Sequence, residues 1–558
     1  MDELTPPESS QRQSNMVILG LNFGHDGSAV VVEDGRIVAD ISRERYVRVK
    51  HAGGIDRVVL DLILAEAGIT ASQIDACALT STQGIEMLVG LCNGLEIAYD
   101  NPATSPFPCP LTKFLPDPTP SLVANLTAIL KLPRSNFTRQ VHEMCFPEHK
   151  EILAGKIQGV GIVESHMRLS TWERPQGLRE LEERVKGATA PPKLDLGFHY
   201  PLTLTLDGRR IPAIFVNHHM AHAGSVYYRS GFASAAIMTH DGFGGGESVL
   251  AGMFLLGRGN KIYPVTPHHL QLGALYDRVS FAIGFDAVGG AGKLMGLAPY
   301  GRPVFYSPSL IGNHFDYLSR FGKPQEAVWL DLVRQRARDL GYALPPLGDP
   351  RRCLEPIARD LAASTQTLLE ETFLEASRSL SRIAAGLGET SGNLCMSGGT
   401  ALNCPANSRI FQDSPFPNIF VEPNCDDGGV ATGAALHLYH NVLDHPLREA
   451  AVRTNQSPFL GRRISAGEVG AAIEARKSEI EVSRPKDFAE AVGRLLTEDK
   501  VVGWFDGRSE VGPRALGHRS LLADARNPDN WRRLNEIKQR EMWRPLAPIV
   551  LQESAADW

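Results

Sequence analysis

An α/β fold in two lobes, followed by a second domain, is what the sequence predicts. Three observations predict it. A pattern of strand, turn, strand, turn, strand occurs twice, far apart in the chain. The 558 residues exceed the roughly 250–300 over which one hydrophobic core keeps growing. A polar, proline-containing stretch then separates a distinct, basic C-terminal part from the rest.

The first copy of the pattern opens at Met16 with "MVILGLNFGHDGSAVVVEDGRIVAD". An apolar run meets a Gly-Asp turn, a second apolar run, a tight "EDG" turn and a third run, each short enough for a strand. The second copy is "SAAIMTHDGFGGGESVLAGMFLLGRGNKIYPV". Both copies place His-Asp-Gly directly after the first strand, as His25-Asp26-Gly27 and His240-Asp241-Gly242, a weak internal repeat. Two hairpin-led subdomains with acidic turns are how the actin-like ATPase fold opens each half, with its hairpins gripping nucleotide phosphates and their metal from opposite sides. Two unrelated meanders, in which Asp-Gly only turns the chain, would read the same way.

The remaining elements follow in order. Residues 1–15 are polar, lack an apolar h-region and read as a disordered tail, so ordered structure is expected from Met16 in a domain covering 16–440. Within it, about 83–211 reads as a long insertion; "NPATSPFPCPLTKFLPDPTP" is too proline-rich for a helix or central strand. Such an insertion suits a lid or an acceptor-binding wall, or plain packing. "STQTLLEETFLEASRSLSRIAAGLGE" predicts one long amphipathic helix, and "NLCMSGGTALNCPANSRIF" a strand, a Gly-Gly loop and a helix start. "NIFVEP" gives a short strand, and "NCDDGGVATGAALHLYH" an acidic loop running into a small-residue helix. Residues 441–463 read as a linker, and 464–558 as the second domain, opening with a helix capped by Ser465.

Composition excludes several classes. With 57 basic and 63 acidic side chains the formal net charge is −6, which gives no global attraction to nucleic acid or an anionic membrane. The eight cysteines are scattered with no C-x-x-C pair, so reduced thiols are expected rather than disulfides or a thiolate metal site. No apolar run reaches the ~18–20 residues of a membrane span. A cytoplasmic protein is the expectation.

Four constellations carry chemistry. In "VNHHMAHAGSVYYRSGF", His218 and His222 are four apart and would stack on one helix face. Packing histidines would look alike, and the glutamate of H-E-x-x-H is absent. If a metal sits there, Asp241, Asp426 or Asp427 could complete its shell, and two histidines with one carboxylate is the facial arrangement of ferrous iron. In "MSGGTALNCPAN", Gly398 and Gly399 would let a ligand approach the backbone ahead of a helix N-terminus. In "GGAGKLMGLAPYG", Lys293 lies in a glycine-rich loop that could take phosphate, though the spacing is not that of a Walker A loop. Finally, Arg508, Arg514, His518, Arg519, Lys538, Arg540 and Arg544 fall among glycines and prolines. That suits a pocket for a phosphorylated small molecule. RNA stacked on Trp531 and Trp543, or a solvated charged surface, are the rival readings.

Together, "GLNFGHDGSA", "NHHMAHAGSVYYRSGF", "GKLMGLAPYG", "SGGTALN", "DDGGVATGAA" and "GPRALGHRSLLADAR" with "IKQREMWRPLAP" resemble the O-carbamoyltransferases of natural-product tailoring and nodulation factor synthesis. The resemblance runs along nearly the whole chain from Met16. It implies an actin-like (ASKHA-type) domain, similar to the tRNA threonylcarbamoyladenosine transferase, fused to a YrdC-like α/β domain. It further implies that carbamoyl phosphate and ATP give carbamoyladenylate, whose carbamoyl group passes to a hydroxyl of a small-molecule acceptor, as in antibiotic biosynthesis. On that resemblance His218, His222 and Asp426 are the metal ligands, with Asp427 the fallback, and iron(II) the expected metal, another divalent ion being possible. His25, and after it Asp26 or Asp241, is the expected base, with Gly27, Gly242, Lys293, Gly398, Gly399 and Asn403 at the nucleotide and magnesium accompanying ATP. Arg508, Arg514, His518, Arg519, Lys538 and Arg544 are the expected carbamoyl phosphate and adenylate ligands. A homodimer is possible and nucleic acid is not the expected partner, though a tRNA threonylcarbamoyl transferase is the alternative and a sugar-kinase-like protein a third reading. The family pattern continues beyond the "RPLAP" segment, so the second domain is expected to be incomplete at its C-terminus.

Overall fold

The computed structural model describes residues 15–81, 92–100, 105–107, 178–187, 199–241, 251–268, 270–286, 289–311, 325–342 and 348–557. Most of the expected insertion at 83–211, the tail before residue 15, and Gly242 lie outside the described residues.

Both hairpin-led copies fold as the alternation dictates. Val17–Asn22 (β1), Ser28–Glu33 (β2) and Arg36–Ser42 (β3) form an antiparallel meander. Ala76–Thr80 (β4) then joins β1 in parallel. Leu95–Tyr99 (β5), His199–Leu206 (β6) and Arg209–Val216 (β7) complete a seven-stranded sheet in the order β3-β2-β1-β4-β7-β6-β5, with β7 parallel to β4. In the second sheet Ser234–His240 (β8), Gly252–Arg258 (β9) and Lys261–His268 (β10) repeat the meander. Asn393–Ser397 (β11) and Asn418–Val421 (β12) add to it in parallel, in the order β10-β9-β8-β11-β12. Leaving out the β6–β5 edge, the two sheets share one strand order and one set of strand directions. The sequence repeat is therefore a repeat of topology.

Two short-sided helices join the lobes. His218–Ser230 follows β7, and Val430–Leu436 follows the acidic Gly-Gly turn; both are buried along their whole length. They approach backbone to backbone, because a Cβ on Gly433 would stand 1.7 Å from the Ala221 carbonyl oxygen and one on Gly224 would stand 2.5 Å from that of Gly433. Gly433→Ala is expected to force these helices apart, at a cost of about 1–3 kcal/mol. A lowered melting temperature with intact secondary structure would report it; an unchanged one would refute the close approach.

Two expectations change here. The expected insertion contributes β5, β6 and the start of β7, which are integral strands of the first sheet despite Pro201 and Pro212. The 441–463 stretch is more than a linker: Glu449–Asn455 is a helix, and the Asn455 amide bridges Ile37 N–H and Gly35 C=O at 2.8 Å each. Beyond it, Ser465 caps the Ala466–Ala475 helix through a capping box with Glu468. Phe488–Thr497, Asp529–Ile537 and the antiparallel pair Val502–Phe505 (β13) and Arg519–Leu522 (β14) make up the rest of the C-terminal α/β part. Among the described residues no helix is long and apolar enough to cross a membrane.

Candidate active site and metal centre

The centre is built from three chain segments that end between the lobes. Asn217 caps the first helix, its side-chain oxygen accepting from the N–H groups of His219 and Met220. That start sets the i,i+4 pair facing inward, with His222 Nε2 3.1 Å from His218 Nε2. Asp241, immediately after β8, brings Oδ2 to 2.9 Å from His218 Nε2, while its Oδ1 accepts from Gly399 N–H at 3.2 Å. Asp427 brings Oδ1 to 3.2 Å from His222 Nε2 and 3.4 Å from His218 Nε2. One ligand atom from each of these four residues lies within 4.8 Å of the others.

Asp426, the carboxylate expected among the ligands, is in the same turn but is not one of the four. Its Oδ1 accepts from Gly428 N–H at 3.1 Å, so it closes the turn that aims its neighbour at the histidines. Burial, with Asp26 and Asp427 nearby, pushes it up to about 7, whereas Asp427 is held well below the usual carboxylate range: burial opposes this, and His25 and His218 overcome it. Asp241 is likewise held down, against burial and the Asp427 charge, by its hydrogen bonds to His218 and His222. The histidines respond in kind. Burial lowers His218, yet Asp427 and Asp241 raise it to about 10.

Two imidazole nitrogens and two carboxylate oxygens converging on one buried point fit a divalent transition metal. The donors are borderline and hard, with no thiolate, and an all-oxygen shell for calcium or magnesium is not on offer. The supporting shell fits too. His222 Nδ1 lies 3.3 Å from Ser397 Oγ, which itself reaches the Cys425 carbonyl oxygen at 3.2 Å. A carbonyl can only accept, so the hydroxyl donates there and accepts from Nδ1–H, leaving the Nε2 lone pair to the centre. Ser397→Ala is expected to weaken metal binding about 10–100-fold, read by chelator competition, with Ser397→Thr retaining most of the affinity.

The expected base, His25, reaches the centre but is engaged: its Nε2 lies 3.0 Å from Asp427 Oδ2. Burial alone would lower it, and Asp427 outweighs this and lifts it to about 10. Gly27 is held where a Cβ would stand 2.0 Å from the Gly54 carbonyl oxygen, and Gly398 (φ +101°) where one would stand 2.1 Å from that of His240. Gly399 adjoins Asp241. Asn403 caps the Cys404–Asp413 helix and pairs amide to amide with Gln366 at 2.9 and 3.0 Å. Lys293 is on a helix, Gly290–Leu297, not in an open loop, and pairs with Asp286 and Glu541 at 3.0 Å each.

The six expected C-terminal ligands divide. Arg508 donates to the carbonyls of Gly461, Leu460 and Val38, Arg519 to buried Glu510 at 2.7 Å, and His518 stacks on Phe459 with centroids 3.6 Å apart. Each of these three has partners within the chain. Arg514 and Lys538 stay exposed, and Arg544 pairs with Glu541 at 3.5 Å. Lys538 is lowered by partial burial and by the charges of Arg540, Lys50, Arg544 and Arg514, a crowding of cations that an anion would relieve. Two residues the sequence did not single out belong to the site. His51 bonds to Asp26, and Asp277, on the Leu272–Ile283 helix, is pushed up to about 7 by burial and by Asp241. The "LYDRVSFAI" helix pattern gave Asp277 no signal beyond an acid beside an apolar stripe.

Comparisons with known proteins point to one family. The carbamoyltransferase N-terminus family matches residues 17–436, and the carbamoyltransferase C-terminus family matches 493–558. An uncharacterized protein of Synechocystis is 30% identical over 97% of this chain and 76% of its own length. Nodulation protein NolNO of Sinorhizobium fredii is 28% identical over 98% of this chain and 66% of its own. The 3'-hydroxymethylcephem-O-carbamoyltransferase of Streptomyces clavuligerus is 30% identical over 55% of this chain and 54% of its own. The chain thus spans about two thirds to three quarters of the first two relatives. Among solved structures, the activator of a 2-hydroxyisocaproyl-CoA dehydratase from Clostridium difficile aligns over 84% of this chain and 100% of its own at 12% identity, with a TM-score of 0.31; so low a score carries no argument. Matched along most of its length by both family regions, the chain belongs to the carbamoyltransferase family.

Proposed function

We propose that this protein is an ATP-dependent O-carbamoyltransferase. In this reading its two lobes are the actin-like pair, and the C-terminal part, YrdC-like in kind, joins carbamoyl phosphate and ATP into carbamoyladenylate. The carbamoyl group then passes to a hydroxyl of a small-molecule natural product, with AMP leaving. The convergence of His218, His222, Asp241 and Asp427 with the His25–Gly27 turn and the Gly398–Gly399 loop is the observation that carries it. The Streptomyces clavuligerus relative, a 3'-hydroxymethylcephem-O-carbamoyltransferase, supports the acceptor class.

His218 and His222 with Asp241 or Asp427 would hold the metal, and two histidines with a carboxylate favour ferrous iron. Such an ion supplies Lewis-acid stabilisation of charge on the phosphate oxygens and fixes their position. The chain's own residues do the rest. The Gly398–Gly399 backbone admits the phosphate group closely, and burial of the four ligands keeps water from competing. Arg514, Lys538, Arg540, Arg544 and Lys50 offer cations to carbamoyl phosphate and the ATP phosphates, with magnesium accompanying ATP.

The test needs no acceptor. The metal-loaded protein is incubated with ATP and carbamoyl phosphate, and carbamoyladenylate and pyrophosphate are sought by mass spectrometry. Their appearance is the expected result. Their absence, in protein that retains stoichiometric metal, overturns the reading for this chain.

A further inference from the structure

We infer that the Asp26–His51 pair is the acid–base dyad of the transfer step, with His51 Nε2 taking the proton of the acceptor hydroxyl. This rests on the carbamoyl-transfer reading above. Two loops are zippered to make the pair: Gly27 N–H donates to the Ala52 carbonyl oxygen, and Gly54 N–H to that of Gly24, both at 2.9 Å. Across that zipper His51 Nδ1 lies 2.9 and 3.2 Å from the two oxygens of Asp26. A carboxylate bonded to Nδ1 holds the proton there and leaves the Nε2 lone pair outward, as in an orienting acid and base couple.

Nε2 faces the other lobe. A Cβ on Gly289, across the cleft, would stand 3.7 Å from it. Both members of the pair sit in left-handed backbone, with φ +57° at Asp26 and +58° at His51. Such conformations cost about 1–3 kcal/mol each for a non-glycine residue and gather at functional sites. The strain is secured: one Asn22 amide donates to the carbonyl oxygens of His25, Asp26 and Asp427 at 3.0–3.2 Å. The dyad's turn is therefore tied to the metal-centre turn. His25, one residue away, is as exposed as His51, each side chain at 24%, but its Nε2 is committed to Asp427.

Charged groups face His51 from several elements: Asp26 and His25 of the hairpin turn, Asp426 of the acidic turn, Asp277 of the Leu272–Ile283 helix, and Glu44 and Lys50 of its own segment. Burial lowers the ring, and Asp26 more than offsets this, so His51 is held above the ordinary histidine range. In the step itself the acceptor oxygen bonds to the carbamoyl carbon and its proton moves to Nε2. The bond from that carbon to the AMP phosphate oxygen breaks, and AMP departs as the anion.

The test has a metal-free and a catalytic arm. In ¹⁵N-histidine-labelled full-length protein without metal or substrate, long-range ¹H–¹⁵N spectra read the tautomer and titration of His51. Neutral His51 is expected to carry its proton on Nδ1, and Asp26→Asn to lower its midpoint by about one pH unit. A proton found on Nε2 overturns the inference whatever the protein catalyses. With ATP, carbamoyl phosphate and 3'-hydroxymethylcephem as acceptor, or water where that is not accepted, His51→Gln is expected to lower AMP released per pyrophosphate about 100-fold, within the range of general-base catalysis. In His51→Ala, added imidazole is expected to restore part of it. An unchanged ratio overturns the base role. A native protein that makes no adenylate overturns the carbamoyltransferase reading instead, and the tautomer still decides the geometry of the dyad.

Discussion

His222→Ala is expected to strip the protein of its metal and of carbamoyl transfer together, with metal affinity falling by more than the ~10–100-fold typical of losing a supporting residue. His222 is wholly buried and its two nitrogens are both committed, Nδ1 to Ser397 and Nε2 to the centre. Alanine removes a ligand and leaves a cavity lined by His218, Asp241 and Asp427, in which two carboxylates confront each other with one partner fewer. His218→Ala is expected to do the same from the other side. His219→Ala makes the control: it shares the helix and its ring lies 5.4 Å from that of His218, but its Nδ1 faces Thr239 Oγ1 at 3.4 Å and it is not one of the four ligands. Metal content by mass spectrometry and cobalt(II) absorption titration read the difference. If His222→Ala kept native affinity and His219→Ala lost it, the centre would be wrongly assigned. Ligand protonation adds a pH dependence, since metal must displace protons from the histidines; with His218 raised to about 10, affinity is expected to go on rising with pH from neutrality towards about 10.

The paired meanders were legible because strand alternation and Asp-Gly turns are local, and the histidine pair because i,i+4 spacing fixes a shared face. The choice between Asp426 and Asp427 was not legible. Adjacent side chains in a tight turn diverge according to backbone dihedrals, and here the residue in extended backbone (Asp426, φ −79°, ψ −171°) closes the turn while the next one faces inward. Arg508 and Arg519 show the same limit from another direction, since sequence gives a charge and not its partner. Arg508 is satisfied by a group distant in the chain, the Val38 carbonyl, and Arg519 by Glu510 nine residues before it. The strands β6 and β7 were hidden by Pro201 and Pro212, which argue against a central strand. His51 was hidden because its role arises only where two loops meet, 25 residues apart in sequence from Asp26.

Arg229→Met is expected to cost about 3–5 kcal/mol, because it breaks a buried ion pair and strands the partner. Arg229 closes the histidine helix, and Glu422 follows β12; each is 1% exposed, and the pair joins the helix to the second sheet. Arg229 Nε also donates to the Asn455 carbonyl oxygen at 2.7 Å, so the same guanidinium fixes the Glu449–Asn455 helix. Even with Arg229 in place, burial lifts Glu422 to about 7. A carboxyl raised in the folded state stabilises fully below its unfolded value near 4.5, and that contribution is lost as pH rises towards 7. Without the guanidinium the folded value moves higher still. Glu422 then enters the variant neutral at low pH and charged or strained at high pH, so the deficit is expected to be smaller at pH 6 than at pH 8. The double variant Arg229→Met/Glu422→Leu is expected to recover most of the loss, since an apolar pair of similar volume avoids desolvating two charges. Denaturation followed at both pH values decides it. A double variant no better than the single one would mean that Arg229 acts through Asn455 and helix docking rather than through Glu422.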